Sequence, residues 1–133
     1  MKQLNTIQKL ENLNDVFAVD DPGPGGANHL YMVCKHNTAR ISDEDGTFRT
    51  RPENILLTVQ MQSGPRKDPE AIPGTLDGDL LEIVRDRLAA FQAGPYSCRE
   101  NACALTHIEE ALMWLNRRVE DRVTRGVLGQ NEQ

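Results

Sequence analysis

Residues that commonly carry out acid–base or metal chemistry are few in this sequence and widely separated. The three histidines are His29, His36 and His107. They have no mutual spacing of the kind that metal ligands show, and no His–Asp pair is evident. Groups that are distant in sequence can still meet in a fold, but no motif announces them. The sequence therefore predicts neither a catalytic site nor a bound metal or cofactor.

A glycine-rich segment at residues 23–26 superficially resembles a phosphate-binding loop. It reads Gly23-Pro24-Gly25-Gly26 and lacks the Lys-Ser/Thr pair that follows a loop of the Walker type. Proline and glycine in this arrangement are typical of a turn between strands. The turn is the interpretation that we prefer.

A more informative pair is Phe91 and Asn101. Phe91 is the last apolar residue of one predicted helix, and Asn101 lies in the first turn of the next, just beyond the Gly94-Pro95 turn. Asn101 also occupies a position of the apolar stripe, where a polar amide needs a partner. An aromatic ring can stack on a base, and a helix N-terminus favours phosphate. Together these features are suited to binding a nucleotide.

The same two residues also have a purely structural interpretation. Phe91 would then close the core of the hairpin, and Asn101 would hydrogen-bond only to the turn. Spacing alone favours this second interpretation, because an aromatic residue at the end of an amphipathic helix normally packs in a core. From the residues alone, both interpretations stay open.

Arginines supply the candidate anion-binding groups. Arg117, Arg118, Arg122 and Arg125 cluster in the last turns of the second predicted helix. Arg118 and Arg125 flank the apolar stripe, where they could meet an anion held between subunits, although cations also favour helix C-termini for electrostatic reasons. Arg66 lies in a predicted loop, and its planar guanidinium is well suited to phosphate.

Two helices must position these residues. The first is predicted over residues 77–93, with Asp77 as its N-cap. Its apolar face consists of Leu80, Val84, Leu88 and Phe91. The second begins at a Ser97–Glu100 capping box and ends near Gly126. The short Gly-Pro connection makes the two helices antiparallel neighbours, which predicts a helical hairpin.

The first half of the chain has the pattern of short strands. Residues 55–61 form the best candidate strand, and 16–19, 29–35 and 47–50 are weaker ones. Leu4, Ile7, Leu10 and Leu13 predict a short amphipathic helix before them. The predicted fold class is α+β, an N-terminal antiparallel β part followed by a long antiparallel α-helical hairpin. The predicted divisions are a β-containing part at 1–74, a hairpin at 75–127 and a flexible tail at 128–133.

Composition limits the kinds of partner. The chain has 133 residues, 38% of them hydrophobic, so its core is modest and some apolar surface should be buried in a homo-oligomer. A net charge of −5 opposes binding to nucleic acid polymers and to anionic membranes. Three cysteines, without a Cys-x-x-Cys pair, are typical of a reducing compartment. No apolar leader is evident, and we expect a cytoplasmic protein.

Several segments resemble a known group of phage proteins. The stretch CRENACALT at 98–106, followed by EEALMWLNRR at 109–118, resembles a C-terminal hairpin that two families share. These families are the type 1 Thoeris anti-defence proteins and the type 2 anti-CBASS proteins. LNDVFAVDDPG at 13–23 and RGV at 125–127 also match. The β-containing part before the hairpin is similar to the Thoeris family, because the anti-CBASS relative is little more than the hairpin.

The resemblance implies a function in immune evasion. Members of the Thoeris anti-defence family are sponges: they bind glycocyclic ADP-ribose, the signal made by bacterial Thoeris TIR proteins, without degrading it. By resemblance, Phe91, Asn101 and Arg66 contact this ligand, and Arg118 and Arg125 line a second site for cyclic di- or trinucleotides of CBASS. The resemblance also implies a homo-oligomer, a hexamer, in the cytoplasm of the infected bacterial host.

Two other functions stay open at this point. One is an enzyme that cleaves a cyclic nucleotide signal, which would return the ligand chemically altered. The other is a hairpin that binds only another protein and has no nucleotide ligand. The lack of catalytic motifs is consistent with a sponge, because stoichiometric capture needs affinity without turnover.

Overall fold

The computed structural model describes residues 1–8, 12–124 and 126. Its contacts divide into two compact parts. The sheet part comprises Met1–Gly64 and Ala71–Gly74, and the hairpin part comprises Pro65–Glu70 and the chain from Thr75 onward. The division predicted from the sequence, between residues 74 and 75, stays a prediction. The flexible tail predicted at 128–133 lies outside the described residues.

Six short strands lie in the described residues of the sheet part. Four of them form one antiparallel sheet in the order β1-β2-β3-β6, and β4 and β5 form a separate two-stranded ribbon. Their bounds are β1 Lys2–Gln3, β2 Asn14–Ala18, β3 Leu30–Lys35, β4 Arg40–Ile41, β5 Phe48–Arg49 and β6 Ile55–Gln60. The prediction of strands in the first half and helices in the second is confirmed.

The core of the sheet part is small and fully closed. Phe17, Ala18 and Cys34 have no exposed surface, and Met61 is also buried. The Phe17 ring packs edge-on against Phe48, with centroids 5.0 Å apart and an interplanar angle of 62°. An edge-to-face pair of this kind adds to the stabilisation that burial alone gives.

Two buried polar side chains in the sheet part have partners. The Asp15 carboxylate accepts hydrogen bonds from the Asn37 backbone N–H at 2.7 Å and from the His36 ring at 3.0 Å. The Asn28 amide donates to the Asp20 backbone carbonyl at 2.7 Å. Buried polar groups without partners destabilise a fold, and these hydrogen bonds remove that cost. They also tie the loops to the strands that they flank.

Gly74 ends the sheet part at a very close approach. A Cβ atom at this position would lie 2.5 Å from the Gln60 carbonyl oxygen and from the Met61 carbonyl carbon. The Gly74 backbone N–H donates to the Gln62 side chain at 3.2 Å. Glycine is therefore required here for space.

Two antiparallel helices make up most of the hairpin part: α1, Asp77–Gln92, and α2, Arg99–Thr124. An ion pair joins them, from Arg85 to Glu109, with 2.9 Å between nitrogen and oxygen. None of the residues in either helix is fully buried. Within the described residues, neither helix has a stretch that is apolar enough to span a membrane.

Both helix starts differ from prediction by one position. The N-cap of α1 is Leu76, not Asp77, and the Leu76 backbone N–H donates to the Asp79 carboxylate at 2.9 Å. At the start of α2, Cys98 takes the capping position, because its sulfur accepts from the Asn101 backbone N–H at 3.4 Å. The predicted Ser97–Glu100 box is wrong: a thiol serves where a hydroxyl was expected.

The predicted N-terminal amphipathic helix is also wrong. Lys2 and Gln3 pair with β2 as strand β1, and the Leu4 backbone N–H donates to the Val16 carbonyl at 2.8 Å. Ile7 is 95% exposed, so the predicted stripe has no buried face there, and Leu10 lies outside the described residues. The edge of β2 needs a hydrogen-bonded partner, and this long-range pairing outweighs the local helical pattern.

Candidate functional site

The turn between the two helices is held by hydrogen bonds that cross it. The Gly94 backbone N–H donates to the Phe91 carbonyl at 3.2 Å and closes the last turn of α1. The Gln92 side-chain oxygen accepts from the Cys98 backbone N–H at 3.0 Å. The end of α1 is therefore tied to the beginning of α2, and the first turn of α2 is fixed beside the last turn of α1.

Phe91 lies on the accessible surface next to this turn. Its side chain is 36% exposed. The Tyr96 ring meets it edge-on, with centroids 6.5 Å apart and an interplanar angle of 85°, and the Arg87 guanidinium carbon lies 5.3 Å from its centroid. The ring is therefore packed on one side and open to a ligand on the other, and both predicted roles, closure of the hairpin and ligand contact, stay predictions.

Asn101 lies in the first turn of α2, as predicted, and is half-buried. Its backbone N–H donates a hydrogen bond to the Cys98 sulfur. Within the described part of the chain, its side-chain amide has no hydrogen-bond partner, so the structure does not support the interpretation in which Asn101 bonds to the turn. An accessible amide donor and acceptor can instead bind an incoming polar group.

Arg66 is exposed, in the segment Pro65–Glu70 that is grouped with the helices. No hydrogen bond, ion pair or ring contact joins it to Phe91 or Asn101 in the region that the structure describes. The structure thus brings Phe91 and Asn101 to the two sides of one turn, and it leaves Arg66 as a separate exposed cation.

A concave surface lies between the helices at the end away from the turn. It is a cavity of about 860 Å³ with an apolar floor that includes Leu112, Leu115 and Val119. Arg118 lines it, and Arg125, the other residue predicted for a second site, lies outside the described residues. Asn101 and Arg118 are about 25 Å apart along α2 at 1.5 Å per residue, so these are two distinct surfaces.

The charges in this cavity are partly neutralised. Arg85 donates to Glu109 at 2.9 Å and to Glu82 at 3.4 Å. Hydrogen bonds to Glu109 and then Glu82 raise the pKa of Arg85 above its usual value, and Arg85 stays protonated. This cavity could not be predicted from the residue pattern, because it depends on which faces of the two helices meet.

The sheet part contains a His–Asp pair that sequence reasoning missed. Asp15 and His36 are 21 positions apart, and pairing of β2 with β3 brings them together. Cys34 lies opposite Asp15 in that register. Burial raises the pKa of the Cys34 thiol above its usual value. A hydrogen bond with Thr50 acts to lower this pKa, and the negative charge of Asp15 acts to raise it. A buried, protonated thiol is a poor nucleophile.

The comparisons with known proteins agree on the hairpin. The family model described as "Acb2/Tad1, hairpin domain" matches residues 53–120, which include β6, the linking segment and most of both helices. A curated protein of Bacillus phage SBSphiJ7, named "Thoeris anti-defense 1", is 48% identical over 77 residues. That match covers 58% of this chain and 54% of the relative, so the chain spans about half the length of the curated relative it matches.

These matches confirm the resemblance that the segments at 98–106 and 109–118 indicate. The family model covers about half of the chain, and its range includes Phe91, Asn101, Arg66 and Arg118. The relative is a phage protein named for anti-defence. The chain belongs to the Acb2/Tad1 hairpin-domain family.

Proposed function

We propose that this protein is a phage anti-defence sponge, which binds glycocyclic ADP-ribose at the hairpin turn and holds it without degrading it. The observation that carries the proposal is the pairing of an exposed Phe91 ring with an Asn101 amide that has no partner in the described chain, inside the segment that matches the family. A ring and an amide on two sides of a rigid turn fit a nucleotide base and an adjacent polar group.

The electrostatics of the turn also favour an anionic ligand. The N-terminus of α2 carries the positive end of a helix dipole, Arg99 lies in its first turn beside Glu100, and Arg87 lies just before the last turn of α1. A chain with net charge −5 needs such a local concentration of positive potential to hold a phosphorylated molecule. Arg66 is proposed as a further phosphate contact, because the exposed guanidinium belongs to the same part of the chain.

Capture without chemistry is the simplest use of this site. The His36–Asp15 pair is the observation that would favour the alternative, an enzyme. Its neighbouring Cys34 is buried with a raised pKa, and it belongs to the sheet part rather than to the turn. We therefore propose a binding protein that acts in the host cytoplasm, where the signal is made.

Titration calorimetry with glycocyclic ADP-ribose tests the proposed site. Phe91→Ala and Asn101→Ala should each weaken binding by roughly ten- to a hundredfold, because they remove a base stack and a hydrogen bond from the ligand. Asn116→Ala is the matched control: it removes the same side chain from an exposed position of α2, and its affinity should equal that of the unaltered protein. Equal affinity for all three variants would reject this site.

Self-association and a second ligand site are parts of the same proposal. Met113 and Trp114 are 70% and 67% exposed, which leaves an apolar face on α2 that a second copy of the chain could cover. We propose a homo-oligomer, a hexamer by family resemblance, with cyclic di- or trinucleotides bound near Arg118 and Arg125. The same apolar face is what favours the alternative of a protein-interaction module.

Trp114→Glu separates assembly from folding. The substitution should dissociate the oligomer, because it places a charge in the proposed contact, and it should change the free energy of unfolding of the chain by only about 0.5 kcal/mol. Light scattering after size-exclusion chromatography measures the mass. An unaltered mass, in a variant that is still folded, would show that this face is not the contact.

A further inference from the structure

Arg85 and Arg87 lie two residues apart on α1 but differ in what they contact. Arg85 is held by two carboxylates, Glu109 and Glu82. Arg87 forms no ion pair within the described residues, and its guanidinium lies over the Phe91 ring at 5.3 Å. Stacking on a ring occupies the face of a guanidinium and leaves its in-plane N–H donors available. Arg87 therefore presents an uncompensated charge beside the proposed base-stacking ring.

Tyr96 also contacts the Phe91 ring. It is 74% exposed, and it meets Phe91 edge-on from within the turn. Its hydroxyl has no hydrogen-bond partner in the part of the chain that the structure describes. A phenol with an accessible ring and hydroxyl can contact both the apolar and the polar parts of one ligand.

We propose that Arg87 and Tyr96 are two further ligand-binding residues of the turn: Arg87 pairs with a phosphate of the bound cyclic nucleotide, and Tyr96 contacts its sugar or base. The proposal rests on the proposed function and adds to it the group that selects for phosphate. A guanidinium makes two parallel hydrogen bonds to phosphate, so Arg87 fixes the orientation of the ligand as well as its charge.

The chain offers a matched control for Arg87. Arg117 is also exposed and helical, and it lies over the Trp114 ring at 5.5 Å. Arg117→Gln removes the same charge and the same kind of ring contact from a surface far from the turn, and because it lies beside Trp114 in the proposed subunit contact, light scattering first establishes that the mass of the oligomer is unaltered. Differences between Arg87→Gln and Arg117→Gln therefore report on position and not on the loss of a stacked arginine as such.

Calorimetry with glycocyclic ADP-ribose, at about 0.05 and 0.2 M salt, tests the inference on the full chain. Arg87→Gln should weaken binding by roughly ten- to a hundredfold and reduce its salt dependence, because a charged hydrogen bond to phosphate is lost. Arg87→Lys, which keeps the charge but not the planar fork, should recover part of the affinity. Tyr96→Ala should weaken binding by about tenfold, and Arg117→Gln should bind like the unaltered protein.

The outcomes separate this inference from the proposed function. If the unaltered protein binds the ligand and Arg87→Gln binds it equally well with the same salt dependence, the role of Arg87 is wrong and the sponge proposal stands. A lowered melting temperature with unchanged affinity would likewise overturn it, since it would show that Arg87 serves only the helix. If the unaltered protein retains no ligand, the proposed function falls, and this inference falls with it.

Discussion

The sheet part and the hairpin part distribute their apolar and polar groups in opposite ways. Among the described residues, every buried side chain belongs to the sheet part, where Phe17 and Cys34 have no exposed surface and Asp15 has its hydrogen-bond partners. The hairpin has no buried residue in either helix, and it exposes Phe91, Met113 and Trp114. The difference indicates that the buried core lies in the sheet part, and it leaves exposed apolar side chains on the hairpin for the ligand and subunit contacts that we propose.

Phe17 and Phe91 provide the sharpest form of this comparison. Phe17→Ala should lower the free energy of unfolding by about 3–5 kcal/mol, because it leaves a cavity in a closed core. Phe91→Ala should lower it by about 1–2 kcal/mol, since that ring is already partly in water, while it weakens ligand binding. Urea denaturation measures both. Equal losses of stability would contradict the division of roles between the two parts.

Asp15 and Asp79 compare a buried carboxylate with an exposed one. Asp15→Ala should cost about 1–3 kcal/mol, because the Asn37 backbone N–H and the His36 ring lose their common acceptor. Asp79→Ala removes only the acceptor of the exposed Leu76 N–H at the start of α1, and should cost about 0.5–1 kcal/mol. Denaturation midpoints measured side by side test the order, and a larger loss for Asp79→Ala would reverse it.

The smallest expected effect is a loss of stability at low pH that depends on Asp20, in the loop after β2. Burial acts to raise the pKa of Asp20, but hydrogen bonds from the His29 backbone and the Asn28 side chain outweigh it and lower the pKa below its ordinary value of 3.8. Its folded pKa lies below its unfolded one, so the stabilisation is present above about pH 4 and is lost as the pH falls through the folded value.

Asp20→Asn removes this titration and keeps the size of the side chain. Between about pH 5 and pH 3, the unaltered protein should lose more of its melting temperature than the variant, by about a degree or two. Thermal unfolding across that range measures the difference. Parallel pH profiles for the two proteins would show that the Asp20 bonds do not contribute to acid stability.

Much of the secondary structure could be predicted because it follows from local patterns. The stripe of Leu105, Ile108 and Leu112 predicts α2, and the alternation around β3 and β6 predicts strands. The N-terminal segment was mispredicted because its pairing with β2 depends on residues more than ten positions away. A local pattern does not contain that information.

The candidate site was predictable only in part, for similar reasons. Spacing places Phe91 and Asn101 on two sides of one turn, and the structure agrees. Arg87 is four positions before Phe91 on the same helix, a spacing that could have identified it. The Asp15–His36 pair and the cavity beside Arg118 depend on strand register and on helix packing, which the sequence pattern does not specify.

The turn, as we propose, retains a phosphorylated cyclic nucleotide and leaves it chemically intact. The most direct test incubates the purified protein with excess glycocyclic ADP-ribose, removes the free ligand, denatures the protein and identifies what is released by mass spectrometry. We expect the unaltered molecule in a fixed ratio to protein, and much less of it from Phe91→Ala. Release of a cleaved product, or of no ligand at all, would contradict it.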